Sequence, residues 1–438
     1  MTKVKLPKLP EGKEFEEYIS ALLLSAGYYL ERNIIDRKGV EILELDAIAT
    51  NYGEQPPTTQ LWEIKSKEWH FSDLFKVRGW MDYLKLNRGG FVARGTRDNA
   101  DKFEGVATSL SIDPVIASKP EECGACLSRV CRKQPREDQA FSMWRFSCWL
   151  ERAMLRDLVR RRKSCKDQER FKVLDDYYFK VNSGVFFTEN LLQRIDQLYS
   201  AFQENPHVSA KCGHEMVGEP FGREHDSIPR NIYATTFYDC QYTDIQLSAF
   251  VEHRARLAIL KNAVDYMLFK KAGDTRRAAD MTVWEVSDRK FTFFDILPGP
   301  FREGLEQITK DKYFHLYPVF WQWFLWLFGG FILKDRETEE YANLSEKTGI
   351  PVTEIPHALR SYDLLFPTNG SWLFDLPSDS HLRVVQMFPV PFMGIGANYR
   401  RLLYTPNGKY AELGLTGAYT LRDLLKWNDL LVDVLSSS

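Results

Sequence analysis

The chain has 438 residues, 44% hydrophobic and 27% charged, with a formal net charge of −2 at pH 7. That length exceeds one ordinary core and predicts two or three domains, and the composition is typical of soluble globular proteins. The near-zero balance excludes whole-protein charge as a nucleic-acid anchor, so any such binding must use local basic patches.

Met1-Thr2-Lys3-Val4-Lys5 lacks the apolar core of a signal peptide. Together with seven Cys in a chain of this size, this predicts a reducing, cytoplasmic setting with free or metal-bound thiols. The first periodic segment is 12–28. Phe15, Ile19, Leu22 and Leu23 fall on one helical stripe, and Gly27 is placed as a C-cap. Glu16 sits beside that stripe, where a carboxylate needs a partner such as a metal site.

Next come Leu43-Glu44-Leu45-Asp46-Ala47-Ile48-Ala49 and Leu61-Trp62-Glu63-Ile64-Lys65-Ser66-Lys67. Each reads as a strand. Alternation puts Glu63 and Lys65 on one face with Ile64 pointing into the core. Asp46 is placed at the end of the first apolar run. If the two strands form a hairpin, two carboxylates and a lysine converge, a natural site for a hard divalent cation that activates water. Alone, Glu63 and Lys65 would be an ordinary exposed strand face; the ordered set carries the weight.

The order is helix with acid, strand, strand with Asp, strand with Glu-x-Lys, helix, strand. It resembles the PD-(D/E)xK nuclease superfamily, most closely its Mrr-like restriction-endonuclease branch. The residues that carry the resemblance are Phe15-Glu16-Glu17 ahead of Leu22-Leu23 and Gly27-Tyr28, then Asp46, then Glu63-Ile64-Lys65. It covers roughly the first quarter of the chain, and no Pro precedes Asp46, as in divergent members. The resemblance implies that Asp46 and Glu63 bind Mg²⁺ or Mn²⁺, with the Ile64 backbone carbonyl expected as a further ligand. It implies that Lys65 orients or deprotonates the attacking water and that Glu16, favoured over Glu17, assists the metal. Lys67 is expected to contact nucleic acid.

Segments 71–86 and 96–110 read as helices, and 89–94 and 113–117 as strands. Residues 1–118 are therefore expected as an α/β restriction-endonuclease-like domain, a mixed sheet flanked by helices. Residues 119–139 read as a polar, Cys-containing linker. Cys123, Cys126 and Cys131 have metal-like spacing, and a structural Zn²⁺ would need a fourth ligand from Cys148, Cys212 or His214. Residues 140–312 read as a mainly helical domain, with amphipathic runs at 143–162, 189–203 and 247–271. Arg160, Arg161, Arg162 and Lys163 form its densest positive run, either a solvated helix face or a phosphate-contacting stripe.

Residues 313–438 read as an α+β winged-helix-like domain. The apolar stretch 313–333 approaches spanning length, but His315, Pro318, Gln322 and Gly329-Gly330 make it a buried core helix instead, so no membrane contact is expected. In 339–366, Leu344 and Ile350 flank a Gly turn, Thr353 is placed as an N-cap, and Ile355, Leu359 and Leu364 face inward. Thr368-Asn369-Gly370-Ser371 and Trp372-Leu373-Phe374 would supply the wing. Arg360 is the strongest nucleic-acid contact on the second helix, which offers few others, so docking a protein is an equal alternative.

The expected function is a metal-dependent endonuclease acting on DNA in preference to RNA, by resemblance in prokaryotic restriction or antiviral defence. Its rear domains would target or restrain it, through a protein partner or self-association. The alternatives are an inactive nucleic-acid-binding scaffold and an RNase on the same fold. Gly394-Ile395-Gly396 is read as a turn.

Overall fold

A computed structural model describes residues 9–136 with short gaps, single positions between 141 and 152, and parts of 261–273, 284–291, 299–365 and 382–384. The readings at 160–163, 189–203, 368–376 and 394–396 lie outside the described residues, as do Cys212 and His214.

Helix α1 (Lys13–Ser25) is followed by three antiparallel strands, β1 (Tyr29–Lys38), β2 (Val40–Asn51) and β3 (Thr58–Lys65). Helix α2 (Phe71–Tyr83) then returns the chain to β4 (Arg88–Arg94), and α3 (Ala100–Ser109) returns it to β5 (Ile112–Ala117). Each helical crossover sets its strand parallel to the one before, as such connections require. The result is a five-stranded mixed sheet in sequential order, flanked by helices. This is the α/β architecture expected of the N-terminal region.

β3 is the central strand. Leu61, Trp62, Glu63 and Ile64 are all buried, because β3 is covered on both faces. Trp62 needs a neighbour without a side chain: a Cβ on Gly90 would lie 2.3 Å from the indole ring. On α2, Leu74, Val77 and Met81 face the sheet and join Phe91 and Phe103 in the core. Helix α2 stops at Tyr83 rather than running to residue 86, since Lys85 adopts a positive φ of 56° that no helix accommodates. Its start is secured by Asp73, which accepts the His70 N–H at 2.8 Å.

Segments beyond residue 118 fold onto this sheet. Within 119–139, helix α4 (Cys123–Leu127) buries Cys123 and Leu127. β1 is an edge strand, and the Gln322 amide pairs with both backbone groups of Leu30, at 3.2 and 2.6 Å. An unpaired edge would otherwise invite aggregation. Arg32 donates to the Cys148 carbonyl at 3.0 Å, and Arg152 pairs with buried Glu17. Tyr52 donates to Asp265 at 2.7 Å, with Lys261 2.6 Å from the same carboxyl group.

Further along lie α5 (Gly299–Ile308) and α6 (Lys312–Leu316). The expected continuous helix over 313–333 is not formed. α6 ends at Leu316 and Tyr317 leaves helical geometry (φ −128°, ψ 53°), because a residue ahead of proline, here Pro318, avoids the helical region. Residues Phe331–Leu333 are instead a short strand, paired antiparallel with Leu382–Val384. Among the described residues no helix is long and apolar enough to cross a membrane.

Helices α7 (Glu337–Thr348) and α8 (Ile355–Leu365) follow one another across a short connection. Gly349 turns the chain at φ +73°, flanked by buried Leu344 and Ile350, and Ile355 and Leu359 are buried as expected, while the side chain of Leu364 lies outside the described residues. Thr353 is not an N-cap: it lies inside a 3₁₀ turn, Val352–Glu354, that feeds directly into α8. Arg360 is exposed, and His357 stacks on Tyr313 with ring centroids 4.6 Å apart.

Candidate active site

The site forms where β2 and β3 part. Their antiparallel ladder runs from Asn51 opposite Thr58 to Ala47 opposite Trp62 and then ends. Asp46 is the next residue of β2, so it lies inside the strand and not at its end. Its carboxylate accepts the Ile64 N–H at 2.9 Å, taking the place of the missing ladder bond. Across the fork, β3 stays paired with β4 through Glu63, Ile64 and Lys65. The fork is therefore rigid on one side and open on the other.

Alternation along β3 puts Glu63 and Lys65 on one face, and the Lys65 ammonium lies 2.6 Å from Glu63. Lys76 reaches the same oxygen from α2 at 3.3 Å. The Glu63 side chain is only 3% exposed, so two ammonium groups balance a carboxylate that water hardly reaches. Burial works against the charge of Lys65, yet its contact with Glu63 and the nearby Asp46 raise its pKa overall. Lys65 is thus a proton donor and a fixed positive charge in the resting site.

Asp46 is in the opposite condition. Burial first, then the charges of Glu63 and Glu16, push its pKa from 3.8 to about 7, against the Ile64 N–H and Lys13. Glu16 is raised as well, chiefly by burial, with Lys13 3.0 Å away opposing the shift. Lys13 also reaches Glu44 at 3.2 Å, and these carboxylates together outweigh its own burial and raise its pKa. Glu16, Glu44, Asp46 and Glu63 line one cleft of about 850 Å³ with Lys13, Lys65, Lys67 and Lys76.

The structure therefore gathers Glu16, Asp46, Glu63, Ile64, Lys65 and Lys67 at a single cleft. Glu17 is not among them: it is buried against Arg152, away from the cleft lining. Arg360 lies on α8, and Arg160 to Lys163 are outside the described residues. Lys76, read from the sequence as a surface specificity element with Lys67, also lines the cleft, as do Lys13, Glu44 and Trp80, which were not singled out. Two had a local signal. Lys13 is three residues before Glu16 on a helix, and Glu44 is two before Asp46 on a strand, so each pair shares a face.

The donor set suits a hard cation. Among the described residues no group of three or more His, Cys, Asp or Glu side chains is arranged to hold a metal ion. Mg²⁺ does not demand one, since it binds through one or two carboxylates and fills its remaining positions with water and substrate phosphate. Asp46 and Glu63 meet that requirement, and a cation between them would relieve the repulsion that lifts Asp46. The cysteines have other partners: the Cys123 and Cys126 thiols donate to the carbonyls of Lys119 and Ile116, at 3.8 and 3.7 Å. Burial pushes the Cys131 thiol up to about 12, against a hydrogen bond with Tyr28.

No family model, no curated protein and no solved structure matches the chain. Fold and site geometry carry the functional argument.

Proposed function

We propose that the chain is a metal-dependent phosphodiester hydrolase, an endonuclease acting on DNA, with its active centre at the β2–β3 fork. The observation that carries this reading is the position of Asp46. It occupies a vacated ladder position beside buried Glu63, with Lys65 in contact with Glu63. A structural ion pair needs one carboxylate and one cation. Two carboxylates forced together, one of them resisting ionisation, serve a site built around another positive charge.

Asp46 and Glu63 would hold Mg²⁺ or Mn²⁺, which supplies an acidified water and neutralises phosphate charge. A residue's N–H and C=O point to the same strand edge, so the Ile64 carbonyl faces the open side with Asp46. Lys65 orients the attacking water and holds a positive charge against the oxyanion that develops at phosphorus. Lys76 keeps the Glu63 carboxylate in place from α2. Glu16 and Lys13 complete the wall of the cleft and tune the charge at Asp46. Restriction or antiviral defence is the setting the resemblance implies, with the segments beyond residue 118 acting in targeting or restraint.

The test is incubation of the full chain with plasmid, single-stranded DNA and RNA, with Mg²⁺ or Mn²⁺ and with EDTA. Cleavage is expected only with metal. Glu63→Ala should abolish it, and Lys65→Ala should slow it about 10²–10⁴-fold, the range for losing one such group. Lys65→Arg should also be poor, since a planar fork does not replace a compact ammonium. Wild-type rates in Glu63→Ala would overturn the assignment.

A further inference from the structure

Helix α2 turns Leu74, Val77 and Met81 into the core. By helical period its opposite face presents Phe75, Lys76, Gly79 and Tyr83. Phe75 is 59% exposed and Tyr83 44%. Two large rings exposed on one helix face form an apolar surface that water serves poorly. They stand eight residues apart, about 12 Å along the axis at 1.5 Å per residue. Between them is Gly79, where a Cβ would meet nothing within 4 Å, so the floor between the rings is open.

This face is continuous with the cleft. Lys76 lies on it, touches Glu63 at 3.3 Å and sits 4.0 Å above the ring of Trp80, which itself lines the cleft. Ile42, which also lines the cleft, is exposed as well. The surface thus alternates aromatic rings with an ammonium group and leads to the fork carboxylates. A double helix offers such rings nothing, because its bases are stacked inside and its phosphates face out. An apolar protein surface would have to bury the charge of Lys76. An unpaired polynucleotide offers both elements a partner: its bases expose flat faces for the rings, and its phosphates can share Lys67 and Lys76 with Glu11 and Glu63, the carboxylates that hold them in the resting site at 3.1 and 3.3 Å.

We infer that α2 is a stacking platform for unpaired bases, and that the cleft takes a single-stranded or locally opened polynucleotide. This deepens the nuclease reading and rests on it for the identity of the reacting site, but binding and cleavage can be measured apart.

The experiment uses full-length protein carrying Glu63→Gln, with and without Phe75→Ala, Tyr83→Ala or both. Binding is read by fluorescence anisotropy on a labelled single-stranded DNA, the same sequence as RNA, and the DNA duplex, all with Mg²⁺. Each ring removed should weaken single-strand binding about five-fold or more, and both together about 25-fold, while duplex binding changes by less than about two-fold. Phe75→Trp should bind at least as tightly as the parent. The DNA and RNA arms show which backbone is preferred; a loss in either supports the platform. Unchanged single-strand affinity in the double variant, or equal loss on duplex, overturns it. A change in sedimentation with unchanged oligonucleotide affinity would assign the face to a protein contact and also overturns it. Cleavage is then followed with Glu63 intact. Ring-dependent binding without cleavage of any substrate would leave the platform standing and remove the nuclease reading; cleavage of single strands at undiminished rate without the rings would do the reverse.

Discussion

Asp46→Asn should stabilise the metal-free protein at alkaline pH while destroying its activity. In the native state Asp46 ionises near 7 instead of 3.8, because burial and the charges of Glu63 and Glu16 oppose its charge. The sign follows from linkage. Below about pH 4 the side chain is protonated whether folded or unfolded, and the native state bears no penalty. Between about pH 4 and pH 7 the unfolded chain loses its proton first, so stability falls as pH rises; above about pH 7 the full penalty is present. The gap from 3.8 to about 7 corresponds to about 4 kcal/mol at most. Water in the open cleft reduces that to about 2–3 kcal/mol. Asparagine keeps an oxygen to accept the Ile64 N–H and carries no charge, so it escapes the penalty. At about 2–4 °C per kcal/mol for a sizeable domain, Asp46→Asn should melt about 4–12 °C above wild type at pH 8 in EDTA, and at nearly the same temperature at pH 4. Mg²⁺ should raise the wild-type melting temperature and leave the variant's unchanged, since a ligand stabilises only the state it binds. Scanning calorimetry at both pH values, with and without Mg²⁺, decides the matter. A variant less stable than wild type at pH 8, or a gap independent of pH, would refute the reasoning.

The two adjacent helix acids should part in behaviour. Glu17→Gln leaves Arg152 facing a neutral partner in a half-buried site and should cost about 2–4 kcal/mol in urea denaturation with little effect on turnover per folded molecule. Glu16→Gln should lower turnover about ten-fold or more with a small change in stability, and the reverse order would exchange their roles. Gly90→Ala should destabilise by about 1–3 kcal/mol or more, because its Cβ would meet the Trp62 ring at 2.3 Å; an unchanged urea midpoint would show that the ring can move aside. A fragment ending at residue 118 should lose the sharp thermal transition of the full chain. It uncovers the Leu30 edge and leaves Glu17, Arg32 and Tyr52 without Arg152, the Cys148 carbonyl and Asp265. A cooperative, full-height transition in the fragment would show that these contacts are dispensable.

Local spacing made much of the N-terminal sheet legible. Two-residue alternation identified the Glu63–Lys65 face, and three- and four-residue spacing identified the inward stripe of α1. What failed was terminal or long-range. Helix α2 runs short because Lys85 takes a left-handed turn, which its residue type does not announce. The stretch 313–333 looks like one helix by hydropathy alone, yet Pro318 already forbids Tyr317 a helical conformation, and greater weight on that rule would have divided it. From the sequence Lys76 reads as a surface specificity element with no tie to Glu63. It joins Glu63 only because the parallel crossover lays α2 over β3, and no short-range pattern encodes that.

The assignment of Glu16 over Glu17 shows where the limit lies. Both acids occupy the first turns of one helix, one residue apart, and each borders the apolar stripe. A helix turns 100° per residue, so they must face different surroundings, but α1 alone does not say which side holds the cleft. On one side is Lys13, three residues back and legible as a helical neighbour. On the other is Arg152, 135 residues away. The half-buried guanidinium of Arg152 gives Glu17 a structural partner and leaves Glu16 beside Asp46 and Glu63. The different surroundings of Glu16 and Glu17 are therefore tied to a residue outside the N-terminal sheet. If the helices beyond residue 118 shift, Glu17 loses Arg152 and its burial is no longer compensated, which loosens the packing of the first turns of α1, where Glu16 also sits. Restraint of the site by the rear of the chain would then need no contact with substrate, only control over the packing of α1.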